Sequence, residues 1–228
     1  MRLQLNKTVE SIGLTRELAW DLIGGLIVAQ AVMACYLLAL DGKAALLFAA
    51  LCGIPVALLF SLLLRRGSAH HHTQMAIVMF TFGGFGMMLG CAADLGHTGL
   101  LGLLSVCQSM PLSLLPDPGQ IWQKMRLTPW TYVGMFVGGN LGMLLIKELR
   151  PGIHLGLFKA FYIYAICNLG MLMGMLMGEA IATRIAVDIN QFVAAGLMMA
   201  LMLLGMTLGM VAMLTVAERC NQKAATAW

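Results

Sequence analysis

Long apolar stretches separated by short polar connections fill most of the chain. A helix needs about 20 apolar residues to cross the hydrocarbon layer of a bilayer. Six stretches meet this requirement, at residues 22–40, 44–64, 74–92, 129–146, 160–178 and 192–217. The pattern therefore predicts an all-α, polytopic membrane protein with six transmembrane helices.

A further apolar stretch, residues 99–115, is harder to assign. It is short, carries Cys107, Gln108 and Ser109 near its middle, and is broken by two prolines at its end. Such a segment can lie in the outer interface or re-enter the bilayer without crossing it, and the alternative is a seventh span.

The positions of the cationic residues favour six spans. With six spans and the amino terminus inside, ten of the 14 Lys and Arg residues lie on the inner side and four lie outside. If residues 99–115 also cross, the count becomes eight against six. Because cytoplasmic loops carry the excess of Lys and Arg, we expect six spans, both termini in the cytoplasm and an outer segment at residues 94–128. A bacterial inner membrane is the expected location.

The composition agrees with a single transmembrane domain over residues 1–228. The chain is 60% hydrophobic and 11% charged, whereas roughly a quarter of the residues of a soluble domain are charged. The net charge of +4 is spread over loops and gives no reason to expect nucleic acid as a partner. The six cysteines show no Cys-x-x-Cys spacing, so neither a disulfide framework nor a zinc ribbon is indicated. The 20 methionines are the feature that requires an explanation.

Glycine and methionine alternate most densely between Asn168 and Glu179. On a helix, glycines four residues apart form a flat strip against which a neighbouring helix can pack closely. The glycines that we assign to helix packing are Gly170, Gly174, Gly178, Gly205 and Gly209.

The sequence Asn-Leu-Gly-Met occurs twice, at residues 140–143 and 168–171. In the six-span topology the two copies lie on consecutive antiparallel helices at nearly the same depth. An unpaired amide is costly in hydrocarbon. We therefore expect Asn140 and Asn168 to contact each other or to share a polar partner.

Sulfur ligands precede harder ligands along two of the predicted spans, at spacings that place each set near one helical face. These residues are Met87, Cys91, Asp94 and His97 on the third span, and Met171, Met175 and Glu179 on the fifth. Thioethers and thiolates select Cu(I), whereas imidazole and carboxylate groups suit harder ions and water-facing positions. The sequence thus favours a protein that binds a soft metal ion, copper foremost, and moves it or hands it over through a Met/Cys-lined path with an outer carboxylate and imidazole mouth.

The same residues fit a second interpretation. Methionine fills gaps between helices and glycine permits close approach, so Gly-Met pairs also suit a tightly packed bundle without metal. The chain would then be a non-catalytic membrane subunit or assembly factor that docks other membrane subunits or a second copy of itself. The sequence contains no phosphate-loop, zinc-protease or serine-hydrolase motif, and an enzyme is the class that it supports least.

Overall fold

The computed structural model describes residues 22–38, 54, 57–58, 71–96, 99–109, 117–149, 157–185 and 189–226. Every element within these ranges is helical, and they contain no strand. The first helix, α1, is Leu22–Leu37. The second, α2, comprises His71–Val78, a π-helical turn at Met79–Gly83, and Gly84–Leu95. The others are α3 (Gly99–Ser109), α4 (Pro118–Leu127), α5 (Pro129–Leu149), α6 (Leu157–Ile185) and α7 (Gln191–Thr226).

Three of the described helices are long and apolar enough to cross a membrane. They are Gln74–Leu95 within α2, Tyr162–Ile185 within α6 and Gln191–Val216 within α7. The prediction of a helical membrane protein is confirmed at this level. The predicted span at 44–64 lies outside the described residues except for 54 and 57–58.

The helices α2, α5, α6 and α7 all extend beyond their predicted spans, and α6 and α7 extend furthest. α6 continues past residue 178 to Ile185, and α7 continues past residue 217 to Thr226. Neither extension contains glycine or proline, the residues that most strongly interrupt a helix. Within the segment 99–115, α3 ends at Ser109 and has 11 residues, which is shorter than the roughly 20 that a crossing helix needs.

α6 and α7 pack as an antiparallel pair along their glycines. A methyl group placed on Gly174 would overlap the carbonyl oxygen of Gly205, and one placed on Gly205 would overlap that of Gly174. Gly170 lies against Gly209 in the same manner, and Gly178 lies against the backbone of Leu201. Only residues without a β-carbon permit this approach of two backbones.

α2 and α5 form a second antiparallel pair of the same kind, although they are not consecutive in the chain. Gly86 and Gly134 lie against each other's carbonyl oxygens, and Gly90 lies against the backbone of Trp130. In all four helices the central contact falls in the sequence Gly-Met-x-x-Gly, at residues 86–90, 134–138, 174–178 and 205–209. The bundle therefore contains two helix pairs built on the same short motif.

The π-helical turn of α2 is supported from α1. Gln30 donates hydrogen bonds from Nε2 to the carbonyl oxygens of Phe80 and Thr81, at 2.8 and 2.7 Å. The Thr81 hydroxyl donates within its own helix, with the Val78 carbonyl oxygen at 2.9 Å. A π-helical turn disturbs the regular pairing of backbone groups, and in hydrocarbon those groups must find partners within the protein. The Gln30 amide supplies one.

Methionine forms a large part of the core. Thirteen of the 20 methionines are buried among the described residues, so thioethers occur along the length of the bundle and not in one layer. In contrast, Leu204, Leu208 and Val216 recur along one exposed face of α7, as expected for side chains that contact lipid. A hydrogen bond between Asn168 of α6 and Asn140 of α5 connects the two glycine-packed pairs.

Candidate functional site

Lys124 and Glu179 form a buried ion pair between α4 and α6. Lys124 is 2% exposed and Glu179 is 1% exposed. Each side chain must give up its hydration to reach this position, which is unfavourable unless the partner is present. Each member of the pair therefore depends on the other for its position in the described part of the chain.

The ion pair borders a small cavity of about 10 Å³, close to the volume of one water-sized sphere. Cys107 of α3, Tyr132 of α5, Met175 of α6 and Met202 of α7 contribute to its wall. With α4, which carries the lysine of the ion pair, five helices thus converge on the cavity. The polar and sulfur groups of the wall are one carboxylate, one ammonium, one thiol, one phenol, two thioethers and two threonine hydroxyls.

The Cys107 thiol lies in the wall of the same cavity as the Glu179 carboxylate. Burial raises the pKa of Cys107 above its ordinary value, and the negative charge of Glu179 raises it further, while Lys124 acts in the opposite direction. The sulfur is therefore a neutral thiol at neutral pH. A metal ion that used it as a thiolate would have to displace this proton.

The local sequence explains how α4 presents Lys124. Asp117 is extended and Pro118 occupies the first helical turn, where a proline is favoured because its fixed backbone angle suits a helix start. The helix ends at Leu127 and is followed by Thr128, whose backbone N–H donates to the Lys124 carbonyl oxygen. Pro129 then begins α5. The short helix between the two prolines turns Lys124 towards Glu179.

Asp94 stabilises the start of α5. Its Oδ1 accepts a hydrogen bond from the backbone N–H of Trp130 at 3.1 Å. Its Oδ2 accepts from the backbone N–H and the hydroxyl of Thr131, both at 2.8 Å. A carboxylate at this position satisfies N–H groups that have no partner within the helix and interacts favourably with the helix dipole. Asp94 reaches the cavity only through Thr131, which forms part of the wall.

A series of buried thioethers continues from the cavity into the bundle. Met175 and Met202 lie at the cavity. One helical turn from Met175, the Met171 sulfur faces Gly139, and the Met79 sulfur faces the same glycine from α2. Met206 of α7 lies against Gly83. The small glycines on α5 and α2 leave the space that these side chains fill.

The structure places the other predicted metal ligands differently. Met87 and Cys91 are fully buried in α2, and the Cys91 sulfur lies near Gly99 at the start of α3. His97 lies outside the described residues. In the ranges that the structure describes, no three His, Cys, Asp or Glu side chains are grouped so that they could hold a metal ion. Of the predicted ligands, Met175 and Glu179 share the cavity, whereas Met87, Cys91 and Asp94 do not contribute to its wall.

Sequence reasoning missed Lys124, Cys107 and Tyr132 at this site. One signal for Lys124 was available, since Ile121, Lys124, Met125 and Thr128 share a helical face and turn inward. A lysine in the middle of such a face requires an anionic partner, and few carboxylates were available to provide it.

Comparison with protein-family models, curated proteins and solved structures found no match to this chain.

Proposed function

We propose that this chain is an integral membrane protein that binds a soft metal ion, most simply Cu(I), and passes it along a thioether-lined path. In this proposal the protein has six spans with both termini in the cytoplasm of a bacterial cell, and the segment 94–128, including α3 and α4, lies at the outer face. The path begins at Glu179 and leads inward past Met175 and Met171.

The observation that carries the proposal is the cavity at Glu179, whose wall contains Cys107, Met175 and Met202. Two neutral thioethers and a carboxylate are suited to a monovalent soft cation, since sulfur supplies affinity and the carboxylate supplies charge. Thioethers need not lose a proton to bind, so a buried series of them can accept the ion without coupled deprotonation.

The deeper methionines support a route beyond the cavity. Met171 and Met79 face Gly139 from two different helices, and Met206 lies close by against Gly83. Successive sulfur positions contributed by different helices allow an ion to exchange one ligand at a time. Methionine suits this because its flexible side chain can change rotamer at low cost.

The roles of the α2 residues follow from their positions. We retain Met87 and Cys91 as a second sulfur pair, because both are buried and lie one helical turn apart. Asp94 already accepts three hydrogen bonds at the start of α5, so we assign it to positioning α5. His97 remains a candidate ligand at the outer face.

The alternative, a subunit that docks other helices through its glycine strips, is less favoured by the geometry. Gly170, Gly174, Gly205 and Gly209 are in contact with one another within this chain. A partner helix would need a different surface.

The proposal is tested by the metal content of the protein purified in mild detergent after Cu(I) loading. We expect near-stoichiometric copper in the wild type and a clear loss in the double variant Met175→Leu/Met202→Leu, which keeps the volume of both side chains but removes their sulfur. Met177→Leu is the matched control, because Met177 lies on the same helix as Met175 and is 48% exposed. Equal copper in all three proteins, or none in the wild type, would contradict the proposal.

A further inference from the structure

Helix α4 is attached to the bundle in an unusual way. Lys124 is its only buried residue, and Ile121 and Met125 are partly buried beside it. Trp122 is 63% exposed, and Leu127 also faces outward. The contact of α4 that is fully withdrawn from water is therefore an ion pair and not an apolar side chain.

Lys124 also occupies a specific position at the cavity. Its ammonium contacts the Glu179 carboxylate and forms part of the wall together with Cys107 and Met175. A second cation that binds Glu179 from this cavity comes close to the Lys124 ammonium, because both residues line it. Their mutual repulsion is strong where water is excluded, so one of the two cations must leave.

We propose that α4 is a lid over the Glu179 cavity and that Lys124 is its latch, a tethered cation that a soft metal cation displaces when it binds Glu179. The identity of the displacing cation rests on the proposed function, whereas the latch itself rests only on the contacts of Lys124 and α4. Displacement leaves Lys124 without a counter-ion, and a buried unpaired ammonium is strongly unfavourable. The lid then leaves the bundle.

The composition of α4 suits both positions of the lid. Once released, Lys124 joins the exposed Arg126 in the polar headgroup layer, while Trp122 and Leu127 reach the apolar boundary below it. Aromatic residues and long cationic side chains are favoured in this layer. Trp130, exposed at the start of α5, lies at the end of the lid and anchors the same interface.

The latch is tested in copper-free protein by hydrogen exchange of the α4 backbone amides, read by mass spectrometry. Glu179→Gln removes the charge and keeps the shape of the side chain. We expect the α4 amides to exchange roughly tenfold faster or more in this variant, because Lys124 loses its partner. Asp117→Asn is the matched control, since it removes an exposed carboxylate next to α4, and it should leave the exchange unchanged. Wild-type protection of α4 in Glu179→Gln would overturn the latch.

A second variant keeps the test valid if Glu179→Gln does not accumulate. Lys124→Met/Glu179→Leu replaces the pair by apolar side chains of similar volume, a change that is often tolerated by a buried ion pair. Because this variant contains no buried ammonium that could lose its partner, the α4 amides should remain as protected from exchange as in the wild type. Exchange as fast as that expected for Glu179→Gln would show that α4 opens without an unpaired ammonium, and would overturn the displacement of Lys124 as the cause of opening.

Hydrogen exchange after copper loading tests the latch and the proposed function separately. If Cu(I) binds at Glu179, loading the wild type should accelerate exchange in α4 to the level of Glu179→Gln. Bound copper with full protection of α4 would overturn displacement and leave the metal path standing. A wild type that retains no copper would overturn the proposed function, whereas fast α4 exchange in copper-free Glu179→Gln would still support the latch.

Discussion

Asn168 donates a hydrogen bond from Nδ2 to Oδ1 of Asn140 at 3.3 Å, and this bond joins helices that belong to different glycine-packed pairs. The Oδ1 atom of Asn168 is buried and has no hydrogen-bond partner among the described residues. The two amides therefore depend on each other, and one acceptor stays unsatisfied on the side of Asn168 that faces the protein.

We expect Asn140→Leu and Asn168→Leu each to lower the free energy of unfolding by about 1 kcal/mol, because each leaves the other amide unpaired in hydrocarbon. The double variant should lose less than the sum, with a coupling of about 0.6 kcal/mol, the average for hydrogen bonds between membrane helices, and at most about 1.7 kcal/mol. A double-mutant cycle of denaturant unfolding in detergent measures this coupling. Fully additive losses would show that the bond contributes nothing.

Gly174→Ala should destabilise the α6–α7 pair by about 1–3 kcal/mol, since the added methyl group would overlap the backbone of Gly205 and force the helices apart. Gly196→Ala on α7 is the matched control, because a methyl group there meets nothing within 4 Å. It should be neutral or slightly stabilising, as alanine is the better helix former by roughly 1 kcal/mol. Equal effects of the two substitutions on unfolding would contradict the close packing.

Asp94→Ala should lower the free energy of unfolding by about 1–2 kcal/mol through the loss of a helix cap. Asp117→Ala should have a smaller effect, since Asp117 makes no capping hydrogen bond through its side chain at the start of α4. The copper content of Asp94→Ala distinguishes positioning from ligation. If Asp94→Ala binds a normal amount of copper but is less stable, Asp94 positions α5. If the variant loses copper and its stability is unchanged, Asp94 is a metal ligand.

The Cys107 thiol should resist alkylation well into the alkaline range. Burial and the neighbouring Glu179 carboxylate raise its pKa, and only the thiolate reacts. A cysteine introduced by Ser105→Cys provides the control, because residue 105 is exposed on the same helix. Its labelling should rise with pH up to about 8.5, the ordinary thiol pKa, while Cys107 stays unmodified. Peptide mapping by mass spectrometry assigns the label, and similar rates at the two positions would refute the burial of Cys107.

The contacts that sequence could anticipate are those with a regular spacing. Gly170, Gly174 and Gly178 recur every four residues, so a packing strip on one helix is directly readable. The repeat of Asn-Leu-Gly-Met predicts that its two asparagines lie at nearly equal depth in the bilayer. The structure places Asn140 and Asn168 in contact. In each case a periodic pattern or a repeat carries the information.

Other contacts depend on tertiary structure that no local pattern specifies. The partner of Glu179 is 55 residues away in sequence, in a short helix whose exposed side chains are both apolar and polar. Asp94 has the spacing of a ligand next to Cys91, yet its position at the end of α2 lets it cap α5. The pairing of α2 with α5 is likewise not specified by the local sequence, although both helices carry Gly-Met-x-x-Gly.

The π-helical turn at Met79–Gly83 lies between two segments of α2 that face the same neighbour. Val78 before the turn lies against Gly142 of α5, and Gly86 after the turn lies against Gly134 of the same helix. The wide turn accommodates one additional residue, which offsets the residues beyond it by about 100° relative to a continuous α-helix of the same sequence. In such a continuous helix, Val78 and Gly86 could not both point straight at α5. The orientation of the second half of α2, and with it the α2–α5 pair, thus depends on one additional residue in this turn. Gln30 donates hydrogen bonds to two carbonyl oxygens of the turn.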